Sequence, residues 1–217
     1  GLRELLWPVA RHRPGAGPAE GSAAAAGPRG PAGVYLPDGA GFGEDEGDPP
    51  AVVLCDVRAA VNIGSICRLC ACFNFTAVQH VYEVRPPPLE AAAAQTAKGC
   101  AEHVSQSTLS LPEYLGWLSR HGPGLRPPVV AIETCSGAES LHGFVWPQHC
   151  SIMVGSEGTG IPNAVIAQLR RGYDRLVIIP MPGPHKSLNV AMALGMALFD
   201  YRRQWPGPTL PMVMPRM

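Results

Sequence analysis

From residue 50 onward, short apolar runs alternate with segments whose apolar residues recur at helical spacing. "AVVLCDV" (51–57) is a continuous apolar run, the pattern of a strand covered on both faces. "AVQHVYEV" (77–84), "PVVAIET" (128–134), "CSIMVGS" (150–156) and "DRLVIIPM" (174–181) read as further strands. Between them, "NIGSICRLCACF" (62–73), "LEAAAAQTA" (89–97), "LPEYLGWLSRH" (111–121), "IPNAVIAQLRRG" (161–172) and residues 188–204 carry helical periodicity. Ser110 is placed to cap the helix that follows it, and Pro162 and Gly172 bracket another. Strands alternating with helices predict a parallel α/β sheet with helices on both faces. In such sheets ligands bind beyond the C-terminal ends of the strands, so the loops found there are where chemistry is expected.

Residues 1–49 lack this pattern. "RHRPGAGPAEGSAAAAGPRGPAG" is low-complexity Ala/Gly/Pro and "GEDEGDPP" is acidic, so neither buries enough apolar surface to offset its ordering entropy. This stretch is expected to be a disordered arm, and its few arginines fit an RNA-touching tail, a transit-peptide remnant or a plain linker. Three segments result: the arm, a domain over 50–205, and a Pro/Met-rich tail over 206–217. The chain begins at Gly1, so its native start is expected to be missing, leaving cytoplasm, mitochondrion and chloroplast all open.

Composition narrows the class. The 217 residues carry 17 basic and 17 acidic side chains, which argues against a strongly basic polyanion binder while leaving room for a local patch. No window approaches a membrane span. Seven cysteines, several inside apolar runs (Cys55, Cys67, Cys70, Cys135, Cys150), read as buried thiols of a reduced, intracellular protein. Cys67, Cys70 and Cys72 have partial zinc spacing, but no second pair follows and Cys72 falls off the face of the other two; no metal is expected.

Three loops after strands carry candidate chemistry. The first leads into "NIGSICR", where Asn62 is expected to cap the helix and Arg68 to lie opposite the apolar stripe beside small Gly64 and Ser65. Taken alone, Arg68 reads as a solvated surface arginine; a helix N-terminus with a nearby guanidinium also suits an anion such as phosphate. The second, "MVGSEGTGIP", places Glu157 between glycines that permit close approach to the backbone, and it lacks the Gly-Lys-Ser/Thr of a phosphate loop. The third, "PMPGPHKSLN", ends at Ser187, a suitable cap, and at Asn189, which capping by Ser187 leaves unexplained inside a first helical turn.

In order, "NIGSICR", "IMVGSEGTGIP" and "IIPMPGPHKSLNVAMALGMALFDYRRQ" resemble the three motifs of the SpoU (TrmH) family of RNA ribose 2′-O-methyltransferases, within the SPOUT class. "AKGCAEHV" (97–104) resembles a Gly-Ala stretch that the family carries between the first two motifs. The resemblance covers about residues 50–205. It implies a SPOUT-type parallel sheet with a C-terminal deep trefoil knot, S-adenosylmethionine as cofactor, tRNA or rRNA as substrate, a homodimer, and no metal. By motif position the cofactor would meet Gly155, Ser156, Gly158, Ile179, Met181, Ser187 and Leu188. Arg68, Asn62, Glu157, Ser187 and Asn189 would form the catalytic group. Within it, Asn62 would hold Arg68 or the RNA backbone, and Glu157 would orient Arg68 or a neighbouring polar group. RNA contacts would come from Arg68, Lys186, Arg170 and Arg171. Arg170, Arg171, Arg202 and Arg203 equally suit complementing helix C-termini. The family often assigns Arg68 as base, yet arginine keeps its proton to a pKa above ~12, so orienting a phosphate and stabilising an alkoxide are easier roles. A base-methylating SPOUT enzyme, a non-catalytic cofactor- or RNA-binding module and a general nucleotide-binding domain are the competing readings.

Overall fold

The computed structural model describes residues 51–84, 90–185 and 187–207, so the expected arm, Lys186 and most of the tail lie outside the described residues. The elements are β1 (Val52–Cys55), α1 (Ala60–Cys72), β2 (Ala77–Tyr82), α2 (Glu90–Ala97), a 3-10 turn (Cys100–His103), β3 (Ser105–Ser110), α3 (Leu111–Arg120), β4 (Val129–Ile132), β5 (Glu139–Ser140), β6 (Ser151–Val154), α4 (Asn163–Gln168), β7 (Arg175–Ile178) and α5 (Val190–Gln204). The seven strands among the described residues all pair in parallel, in the order β3-β2-β1-β6-β4-β7-β5.

The continuous apolar runs occupy the sheet centre because both of their faces are covered. In β1, β4 and β6 every residue is buried. Alternation divides their side chains between two cores. Val52, Leu54, Val130, Ile152 and Val154 face α1 and α5, whereas Val53, Cys55, Ala131 and Met153 face α3 and α4.

Two strands escaped the periodicity reading. β3 is the polar "SQSTLS" with only Ser107 and Leu109 buried, and β5 is two exposed residues. Both are edge strands, where one-sided burial erases the apolar signal. The helix expected over 161–172 contracts to Asn163–Gln168, with Pro162 at its cap. Its continuation is diverted at Arg170, whose backbone N–H donates to the Asp174 carboxylate at 2.8 Å, and Gly172 turns at φ 82°. Ser110 does cap α3: it accepts from the Glu113 N–H, and Glu113 accepts from the Ser110 N–H in return.

Arg126 and Asp174 form a buried, bidentate ion pair, both contacts 2.6 Å, where the chain enters β4 and β7. Asp174 also accepts from Val129 N–H at 2.8 Å. On the far side, Arg202 of α5 donates to the Phe73 and Asn74 carbonyls at 2.7 and 2.8 Å, and Arg203 pairs with Asp200 at 2.8 Å. Arg202 therefore braces the end of α1 and offers little to a phosphate. The cysteines of α1 diverge as expected: Cys67 and Cys70 are buried, Cys72 is exposed. Burial pushes the Cys67 thiol up to about 11 and raises Cys70 further, which disfavours the thiolate that a metal needs.

Candidate active site

Parallel strands deliver the β1–α1, β6–α4 and β7–α5 connections to one edge of the sheet, as the position rule demands. There the three polar residues of the motifs form one chain. Asn62 Nδ2 donates to Glu157 Oε1, and Asn189 Nδ2 donates to Asn62 Oδ1 at 3.0 Å. Asn189 Oδ1 then accepts from Ala191 and Met192 backbone N–H groups at 3.0 and 3.4 Å. Amide orientations in this chain are forced. A backbone N–H only donates, so Asn189 must turn its oxygen toward α5 and its nitrogen toward Asn62. Asn62 must answer with oxygen, which leaves its nitrogen for a carboxylate that only accepts.

This arrangement corrects two expectations. Asn62 does not cap α1: the helix starts two residues earlier, with Ala59 at its cap and no side-chain bond there. Ser187 does not cap α5: Asn189 does, and Ser187 is exposed. Arg68 does lie opposite the apolar stripe, exposed. Gly64 beside it is packed by α2: a Cβ on Gly64 would lie 2.3 Å from the Ala93 carbonyl oxygen and 2.7 Å from Thr96 Cβ. Only glycine lets α1 and α2 approach this closely.

Glu157 thus orients Asn62, the neighbouring polar group, and leaves Arg68 alone. Arg68 is exposed on α1, and among the described residues it has no hydrogen bond or ion pair. The "GSEGTG" loop that carries Glu157 is closed on itself. Ser156 and Gly160 exchange backbone hydrogen bonds at 3.2 and 2.9 Å, and the Ser156 and Thr159 hydroxyls meet at 2.8 Å. A Cβ at Gly155 would sit 2.1 Å from the Gly160 carbonyl carbon, so the loop folds over a bare backbone.

Sequence reasoning missed Glu133. It follows β4, its Oε2 accepts from Ile161 N–H at 2.7 Å, and its Oε1 accepts from Thr134 N–H at 2.8 Å. It clamps the end of the Glu157 loop to the neighbouring strand. A carboxylate at the C-terminal end of "AIET" was the available signal. In the third loop Ile179, Met181 and Leu188 are half-buried, and among the described residues the backbone groups of Ile179 and Met181 have no protein partner. Gly158 is exposed with open space around it. Arg170 and Arg171 are not brought to this edge: they lie beside Asp174, at the opposite ends of the strands.

The family model described as the SpoU rRNA Methylase family matches residues 49–199. A protein of Mycobacterium avium (strain 104) named as an uncharacterised tRNA/rRNA methyltransferase is 32% identical over 165 residues, which cover 74% of this chain and 50% of that one. The 23S rRNA (guanosine-2′-O-)-methyltransferase RlmB of Xanthomonas campestris is 29% identical over 160 residues, covering 73% of this chain and 60% of that one. The chain spans about half the length of the mycobacterial relatives. Among solved structures, the AdoMet-bound rRNA methyltransferase of Sinorhizobium meliloti superposes with a TM-score of 0.61 at 23% identity, covering 71% of this chain and 56% of that one. A structure described by its insights into the 2-OH methylation of C/U34 on tRNA gives 0.59 at 25% identity, covering 74% and 99%. With the motif-bearing loops gathered at one sheet edge and the family model spanning all three motifs, the chain belongs to the SpoU rRNA methylase family.

Proposed function

We propose that this protein transfers a methyl group from S-adenosylmethionine to a ribose 2′-hydroxyl of tRNA or rRNA. The observation that carries the reading is the Glu157–Asn62–Asn189 chain, which ties the three motif loops into one edge, with Arg68, unengaged among the described residues, on the same helix as Asn62.

The residues present fit the cofactor. The backbone groups at Ile179 and Met181, unpaired among the described residues, suit the donor and acceptor edge of an adenine, and Leu188 offers apolar cover. Gly155, Ser156 and Gly158 would line the other side, with Ser187 at the mouth. When bound, the sulfonium supplies an electrophilic methyl. The protein's own part is then to orient the ribose and stabilise charge on the 2′-oxygen as the hydroxyl proton passes to solvent. Arg68 would bind the adjacent phosphate and the developing alkoxide through its two-pronged guanidinium. Asn62 and Asn189, locked by their neighbours, would fix the loop geometry against which the ribose packs.

The C-terminal chain in this reading passes through the deep trefoil knot of the class, and the protein works as a homodimer. Supporting the dimer, α5 exposes Met192, Met196 and Phe199 (65%, 46% and 63%) along one helical stripe that begins one turn from Asn189. A second copy of the same face would cover the stripe and complete the site. Sedimentation equilibrium is expected to give a dimer that Phe199→Glu dissociates; a wild-type monomer at micromolar concentration refutes the dimer. For the activity, methyl-labelled cofactor is incubated with bulk tRNA and rRNA, and label in the RNA is counted. No label, with cofactor binding intact by calorimetry, would mark a non-catalytic module.

A further inference from the structure

Among the described residues, three other than glycine adopt positive φ: Asp56 (54°), Asn74 (55°) and Lys98 (50°). Asp and Asn tolerate this left-handed conformation, because their short side chains bond locally; lysine gains no such relief. Lys98 follows the last residue of α2, at the C-cap, and Gly99 (80°) holds the next position, where a left-handed glycine ordinarily ends a helix. Here the left-handed conformation begins one residue before that glycine, so Lys98 bears strain. Strain retained at one residue calls for a reason outside helix termination.

Its position supplies one. Gly64 of α1 packs against Thr96 and Ala97, the two residues ahead of Lys98; a Cβ there would be 2.7 Å from Thr96 Cβ and 3.1 Å from Ala97 N. Arg68 lies one helical turn beyond Gly64 on the same face of α1. The 3-10 turn that begins at Cys100, two residues after Lys98, packs against α1 as well. The left-handed turn at Lys98–Gly99 therefore runs alongside the turn of α1 that presents Arg68.

Both side chains are exposed, and among the described residues neither has a hydrogen bond or an ion pair. The other described cations are engaged or elsewhere. Arg58, Arg126, Arg175 and Arg203 are paired with carboxylates, and Arg202 is bound to carbonyls. Arg120, Arg170 and Arg171 belong to the opposite edge, where α3 and α4 end.

We infer that Lys98 and Arg68 form a two-cation seat for consecutive phosphates of the RNA strand, with the strained backbone at Lys98 aiming its ammonium beside the guanidinium. Lys98 binds as a point charge and Arg68 as a fork, so the pair anchors the backbone on either side of the nucleotide being modified. The inference rests on the RNA reading above.

The test compares the wild type with Lys98→Asn and Lys98→Arg. Asn removes the charge and accepts the left-handed conformation better than lysine, so the fold is expected to keep or slightly raise its melting temperature. Binding of labelled bulk tRNA, followed by anisotropy across salt concentrations, is expected to weaken about fivefold in Lys98→Asn, with the salt slope reduced by about 0.7–0.9. Lys98→Arg restores both. Wild-type affinity and slope in Lys98→Asn overturn the seat while leaving the RNA reading standing. A lower melting temperature that accounts for weakened binding overturns it too, since it makes Lys98 structural. If the wild type binds neither tRNA nor rRNA, the RNA reading itself fails and the seat with it.

Discussion

Arg68→Ala is expected to reduce methyl transfer by about a hundredfold or more, the scale of losing a charged group that stabilises a developing oxyanion. Folding and cofactor affinity should hardly change. Arg68 is exposed and makes no hydrogen bond or ion pair among the described residues, so its loss unpairs none of them. Among the described residues no carboxylate contact draws the guanidinium away from substrate, and Glu157 is committed to Asn62. Arg68→Lys keeps a positive charge and discards the planar fork, and should recover only part of the rate. Single-turnover rates with calorimetric cofactor affinities check both variants. An Arg68→Ala enzyme with wild-type turnover would remove Arg68 from the chemistry.

The largest effect on stability is expected from Asp174→Asn. Burial alone would push the Asp174 carboxyl up, but the Arg126 guanidinium and the N–H groups of Val129 and Arg170 outweigh it and hold the group below its usual range. The substitution leaves Arg126 buried without a counter-charge, a change that costs about 3–5 kcal/mol. For a domain of this size that lowers the melting temperature by roughly 10 °C. The acid limb gives an independent reading. With its folded-state pKa depressed, Asp174 contributes stability that is fully present above the unfolded value of about 4 and is lost as pH falls through the folded value. The wild type should therefore lose stability steeply below pH ~4, and Asp174→Asn should lose that component of the limb. A variant melting within a degree of the wild type, with the same acid limb, would contradict a stabilising pair.

The sheet centre was legible because double burial leaves a continuous apolar run, as in Val52–Cys55 and Ser151–Val154. The edge strand Ser105–Ser110 was not, since its exposed residues mix polar side chains into the run. At the site, residue identities were readable and several of their bonds were not. Asn62 and Ser187 both look like caps by local preference, yet the caps are Ala59 and Asn189. The reason is long-range: Asn62 is occupied by partners 95 and 127 positions away, which no local pattern encodes. The bond made by Glu133 was hidden for the same reason, its partner Ile161 arriving from another loop, although its place at a strand end was readable. Asn189, the residue that capping by Ser187 could not explain, proves to be the cap and the link between loops at once.

The central claim concerns which atom receives the methyl group. RNA that has been methylated with isotopically labelled cofactor is digested to nucleosides and resolved by mass spectrometry. Label retained on the ribose fragment after glycosidic cleavage is the predicted result. Label on the base fragment would contradict the ribose assignment, and RNA without label would contradict methyl transfer altogether.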